Sequence, residues 1–223
     1  MADQMSPEMT DFLYPCVAPQ ARDPRALLIE LAASADAKAA QSFEIGCTTI
    51  NRLEAEISGI ATEMVRRFTA GGRLFSFGNG GSATDAAAFA ALLRNPPQGH
   101  ALAARSLASD EATITALGND VGFELIFSRQ LIAYGRPGDM AVGFSTSGNS
   151  ENVVRAFREA RRRGMLTLGM AGRGGGQMAA CGDIDHCLVV DCDSVHRIQE
   201  TQDWIGFAIW EKVQAVIAAQ VET

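Results

Sequence analysis

An α/β fold, a five-stranded parallel sheet flanked by helices, is predicted by three features of this 223-residue chain. Short, continuously apolar runs recur, as strands buried on both faces require. Between them lie stretches with the three- and four-residue apolar spacing of helices. Two turns rich in glycine and serine, Gly78-Asn79-Gly80-Gly81-Ser82 and Ser145-Thr146-Ser147-Gly148-Asn149-Ser150, each follow an apolar run and open a helix. In open α/β sheets ligands bind beyond the carboxyl ends of strands, so both turns are expected on one rim.

Residues 1 to 24, with Pro15, Pro19 and Pro24, read as a flexible arm, and 25 to 223 as one domain. From Pro24 to about Ala70 the sequence is alanine-rich, and Ile50, Leu53, Ile57, Ile60, Met64 and Phe68 recur at helical spacing. One long helix is expected there, stopped by Gly71-Gly72, with room for a shorter helix before it. Strands are then expected at Arg73 to Phe77, His100 to Leu107, Met140 to Phe144, Leu166 to Met170 and Cys187 to Asp191. The intervening helices are Ser82 to Leu93, Glu111 to Tyr134 with a break near Gly118-Asn119-Asp120, Glu151 to Arg163, and a short one at Gln177 to Cys181. A last helix runs from Val195 to Val221. Its apolar residues, among them Trp204, Phe207, Ile209 and Trp210, occupy more of the circumference than one packing face needs, which predicts a homo-oligomer.

A net charge of -7 argues against a general affinity for nucleic acid or an anionic membrane surface. No apolar run reaches the roughly 20 residues of a membrane helix. Five cysteines, an odd number without a C-x-x-C pair, and an N-terminus lacking a signal-peptide pattern point to a reduced cytoplasmic protein. Cys181, Cys187 and Cys192 with His186 suggest a metal cluster only superficially, because a strand through Cys187 to Asp191 points them apart.

The second turn gathers four hydroxyls, from Ser145, Thr146, Ser147 and Ser150, where helix N–H groups converge, a ready anion site. It holds no lysine or arginine, so a phosphate would rest on neutral donors and the helix dipole. The bland alternative is a serine-rich turn with an N-cap. The first turn lets backbone approach a ligand while Asn79 and Ser82 offer hydrogen bonds. It is neither the dinucleotide fingerprint G-x-G-x-x-G nor a P-loop, which speaks against a nucleotide-dependent redox protein.

GNGGS after the first strand, GND at Gly118 to Asp120, STSGNS after the third strand and RIQE at Arg197 to Glu200 appear in that order. Together they resemble the sugar isomerase (SIS) domain family, and within it the phosphoheptose isomerases. The resemblance runs from about residue 40 to the end. It implies a flavodoxin-like sheet, a homotetramer with long helices at its centre, and active sites between subunits. It also implies sugar-phosphate contacts at Asn79, Gly80, Gly81, Ser82, Asn119, Asp120, Ser145, Thr146, Ser147 and Ser150, with Gln199 reaching the sugar or a metal.

A ketose-to-aldose conversion requires a base for the carbon-bound proton and an acid for oxygen. The family uses a glutamate and a histidine, which with a second histidine and a glutamine bind zinc in many members. Here the corresponding positions are Ala88, Leu92 and Phe207, and Gln199 alone matches. Neither zinc nor another cofactor is therefore expected. Two readings follow: a sugar-phosphate-binding protein with weak or no ordinary isomerase activity, or an active isomerase on sedoheptulose 7-phosphate or a similar sugar phosphate. In the second, Asp203 and His196 are the replacement catalytic groups beside Gln199, with Asp85 a weaker candidate.

Overall fold

Five strands, Leu74–Gly78 (β1), Ala104–Ser106 (β2), Met140–Ser145 (β3), Leu166–Gly172 (β4) and His186–Val190 (β5), pair in parallel in the order β2-β1-β3-β4-β5. This is the flavodoxin-like order, and its direction reverses between β1 and β3. The two glycine- and serine-rich turns leave these strands at that switch point. The computed structural model describes residues 24–221, so the predicted arm, save Pro24, lies outside the described residues.

The chain divides into two compact units, Met1–Ala40 and Gln41–Thr223. The described part of the first is helical and almost wholly exposed, Leu28, Ile29 and Leu31 included. Helix α1 is assigned as Pro24–Thr69, one helix rather than two. The others are Gly81–Arg94 (α2), Glu111–Asp120 (α3), Ile126–Tyr134 (α4), Glu151–Arg162 (α5), Gly176–Ala180 (α6) and Val195–Val221 (α7).

Both faces of the sheet are covered, as the apolar strands required. Leu74, Met140, Val142, Phe144, Leu166, Leu168 and Met170 pack with Leu53, Ile57 and Ile60 of α1, with Phe89 of α2 and with Ile198, Ile205 and Trp210 of α7. On the opposite face Phe75, Phe77, Ala141 and Ala171 pack with Ile126, Phe127 and Leu131 of α4 and with Val153 and Phe157 of α5. The period of two along each strand sends successive side chains to opposite cores.

One expectation is corrected. The second strand pairs over three residues only, because its predicted first half bonds elsewhere: Gln214 of α7 accepts from His100 N at 2.7 Å and donates to His100 O at 2.9 Å, and Leu102 N donates to Leu93 O. The helical break expected near Gly118-Asn119-Asp120 is present: α3 ends at Asp120, and Gly122, with φ of 107°, follows it.

Candidate active site

The loop after β3 turns its hydroxyls inward. Ser145 Oγ lies 3.0 Å from Ser150 Oγ and 3.5 Å from Ser147 Oγ. Ser150 is the N-cap residue of α5, yet its side chain makes no cap bond and joins Ser145 instead. The plain capped-turn reading therefore fails: the first N–H groups of α5 are left without the side-chain oxygen that ordinarily satisfies them. An anion bound here would accept from those groups with the dipole favouring its charge. Thr146 and Ser147 are half-buried beside them.

A clasp from the next loop fixes this shape. Asn149 Oδ1 accepts from Gln177 N at 2.9 Å, and Met178 N donates to Gly148 O at 3.0 Å. The chain can close so tightly only because Gly148 has φ of 66° and no side chain, since a Cβ there would strike the carbonyl oxygen of Gly175.

The loop after β1 is tied to its counterpart by two amides. Asn79 Nδ2 donates to Asn152 Oδ1 at 2.7 Å, and Asn152 Nδ2 donates to Asn79 Oδ1 at 2.9 Å. Asn79 thus spends half its hydrogen-bonding capacity locking the loops together. Gly80 and Gly81 are exposed, and Ser82 is buried in the first turn of α2. Gly81 admits the side chain of Gln199, whose carboxamide lies where a Cβ would stand. Gln199 Nε2 then donates to Asp85 Oδ2 at 3.0 Å.

Between α2 and α7, against Phe144 of β3, is a hollow of about 260 Å³. Ala88, Phe89, Leu92, Phe144, Gly206 and Phe207 make its walls apolar, while Asp85, Gln202 and Asp203 bring polar groups to it. Burial is the main reason that the Asp85 carboxyl is pushed up to about 6; the Gln199 bond opposes this and the Asp203 charge adds to it. Asp203 is also raised, by loss of solvent around its carboxyl. The hollow thus holds two carboxyls with raised pKa values, Asp85 buried and Asp203 largely exposed.

Not every expected residue gathers there. His196 is exposed in the first turn of α7 and is not part of the hollow's lining. Asn119 and Asp120 are exposed at the end of α3, where Asn119 Nδ2 donates to Asp120 Oδ1 at 2.8 Å. The reciprocal pairing of Asn152 with Asn79 escaped the sequence reading, since nothing local marks it.

Residues 40–172 match the SIS domain family model. A phosphoheptose isomerase of Paramagnetospirillum magneticum is 47% identical over 156 residues, 69% of this chain and 80% of that one. The structure of phosphoheptose isomerase from Neisseria gonorrhoeae superimposes with a TM-score of 0.77 at 36% identity, covering 83% of this chain and 99% of that one. The enzyme from Francisella tularensis gives 0.77 at 31% identity, over 82% and 98%. This chain belongs to the SIS domain family, in its phosphoheptose isomerase branch.

The hollow is poor in metal donors. Ala88, Leu92 and Phe207 supply no metal ligand, which leaves the Gln199 amide and the Asp85 and Asp203 carboxyls. Among the described residues no group of three or more His, Cys, Asp or Glu is arranged to hold a metal ion. This donor set does not fit the zinc of the family. Among the described residues no cysteine lines the hollow, and burial pushes the Cys187 thiol up to about 11.

Proposed function

We propose that this SIS-domain protein interconverts a ketose phosphate and its aldose, with sedoheptulose 7-phosphate the first substrate to test and Asp85 and Asp203 as the proton-transferring pair. The observation that carries the reading is the buried Asp85 carboxyl, raised to about 6, bonded to Gln199 and influenced by Asp203, in a hollow whose lining includes Phe144, the residue that precedes the hydroxyl-lined loop. The phosphate monoester would rest on the loop after β3, and the sugar's carbonyl end would extend past Phe144 into the hollow.

The chemistry is a balanced shift of protons. An ionised carboxylate takes a proton from C1 while a protonated carboxyl gives one to the C2 oxygen, so that the C=O electron pair is received and an enediol forms. The reverse transfers, now removing the C1 hydroxyl proton and returning a proton to C2, leave the aldose. Each positioned acid or base contributes about 10² to 10⁴ in rate. Apolar walls serve this chemistry by withholding water from Asp85 and keeping its pKa high.

The likeness to phosphoheptose isomerases over most of the chain supports the substrate class. The apolar hollow favours a second reading: with Ala88, Leu92 and Phe207 unable to move protons, the protein binds the sugar phosphate without converting it, and binding regulates an assembly. An assay of purified protein on sedoheptulose 7-phosphate, with zinc and with a chelator, decides. Turnover that survives chelation and is lost in Asp85→Asn and Asp203→Asn supports the enzyme. Tight binding with no turnover in either condition supports the binder.

We also propose that the working form is a homo-oligomer, a tetramer by family likeness. Phe207 is 50% exposed, and beside it stand Trp204 and, in edge contact with Trp204, Phe43. Large aromatic surface at the mouth of the hollow calls for a second copy to cover it. Asn119 and Asp120, exposed at the end of α3, would then serve a neighbour's site.

A further inference from the structure

Gln202 lies on α7 three residues after Gln199 and next to Asp203, and it borders the hollow. It is fully enclosed, yet neither its Oε1 nor its Nε2 has a hydrogen-bond partner. A buried amide left unpaired is costly, and native interiors rarely keep one without a purpose. Leucine, of similar volume, would sit beside the apolar lining of the hollow, Phe89 and Phe144 included, at lower cost.

A carboxamide offers one donor and one acceptor side by side. An α-hydroxycarbonyl group presents the complementary pair: its carbonyl oxygen accepts from Nε2, and its neighbouring hydroxyl donates to Oε1. The enediol formed from it keeps two adjacent oxygens at the same spacing. We propose that Gln202 reads the C1–C2 hydroxycarbonyl unit of the sugar phosphate and holds it against the Asp85–Asp203 pair, selecting open-chain sugars over other phosphate monoesters. This rests on the sugar-phosphate reading above and adds to it the part of the substrate that is recognised. Because site groups built to pair a substrate's polar atoms reject analogues lacking them, the discrimination falls on the head of the sugar rather than on its phosphate.

The test compares wild type with Gln202→Leu and Gln202→Met, each first checked for its thermal midpoint. Calorimetry is run with sedoheptulose 7-phosphate, with glycerol 3-phosphate, which lacks the hydroxycarbonyl, and with inorganic phosphate. Both variants should melt no lower than wild type, bind glycerol 3-phosphate and phosphate unchanged, and bind the heptose phosphate at least tenfold more weakly. Where turnover is measured, kcat/KM should fall more than the affinity does. Equal affinity of wild type and both variants for the heptose phosphate overturns the role of Gln202 while leaving the sugar-phosphate reading intact. Wild type that binds phosphate but no sugar phosphate overturns both. If one variant unfolds, the other carries the comparison, since methionine keeps the length and leucine the bulk of the original side chain.

Discussion

Gln199 Nε2 donates to Asp85 Oδ2 across 3.0 Å, joining α7 to α2 at the point where the glycine of the first loop lets the two helices approach. This bond ties a carboxyl that lines the hollow to an amide of the last helix and so fixes the orientation of the Asp85 side chain.

Replacing Asp85 by asparagine should separate stability from activity. The folded protein holds the Asp85 proton up to about pH 6, against an ordinary 3.8, so it binds that proton more tightly than the unfolded chain. Its contribution is therefore present at low pH and is lost as pH rises from about 4 through 6. Asparagine does not ionise. The variant should unfold at higher denaturant than wild type at pH 8, by roughly 1 to 3 kcal/mol, with the gap closing near pH 4. Its kcat/KM should nevertheless fall by about 10² or more. Equal stability at both pH values would show that Asp85 is not desolvated.

The acid limb of the pH profile should report the same pair. Loss of the ionised base should lower kcat/KM as pH drops below an apparent value near 6, a value belonging to the two carboxyls jointly. Asp203→Asn removes the neighbouring charge that helps to raise Asp85 and should move the limb to lower pH. A profile with no break between pH 5 and 7 would exclude this pair from the chemistry.

Gly81→Ala tests positioning without touching either carboxyl. A methyl there meets the Gln199 carboxamide, the end of a flexible side chain, so the fold should survive with a stability loss under about 1 kcal/mol. Gln199 should be displaced from Asp85, and activity should drop while phosphate binding at the loop after β3 persists. Gly148→Ala should behave differently. Its φ of 66° disfavours any side chain, and the clash is with backbone, so a loss of about 2 to 4 kcal/mol and of phosphate affinity together is expected in denaturant titration and calorimetry.

The sheet was legible because each strand is a run of apolar residues and each helix a periodic one, both local signals. The hydroxyl loop was legible for the same reason, with Ser145 to Ser150 contiguous. What escaped depends on contacts between distant residues. The Gln199–Asp85 bond spans 114 positions, the Asn79–Asn152 pair spans 73, and no spacing rule announces either. Likewise the front of the second strand read as extended and apolar, but Gln214, a helical residue of α7, claimed the backbone of His100. His196 was singled out on chain proximity to Gln199, yet the first turn of α7 leaves it exposed.

The ring of Phe207 packs on Trp210 at 5.0 Å between centroids, so it is held in place rather than free to fold away, and yet half its surface is exposed. Phe207→Glu would put a charge on that exposed aromatic face without opening the core, because Trp210 beneath it stays buried. If this face is covered by a second copy, burying an unpaired carboxylate there is strongly unfavourable. Light scattering should then show an assembly in wild type and a smaller species in Phe207→Glu, with an unchanged thermal midpoint for the isolated subunit's core. Sugar-phosphate affinity should fall with assembly when a neighbour contributes Asn119 and Asp120, and Asn119→Ala should reproduce that loss without dissociating the oligomer. An assembly of the same mass in Phe207→Glu would place the interface elsewhere.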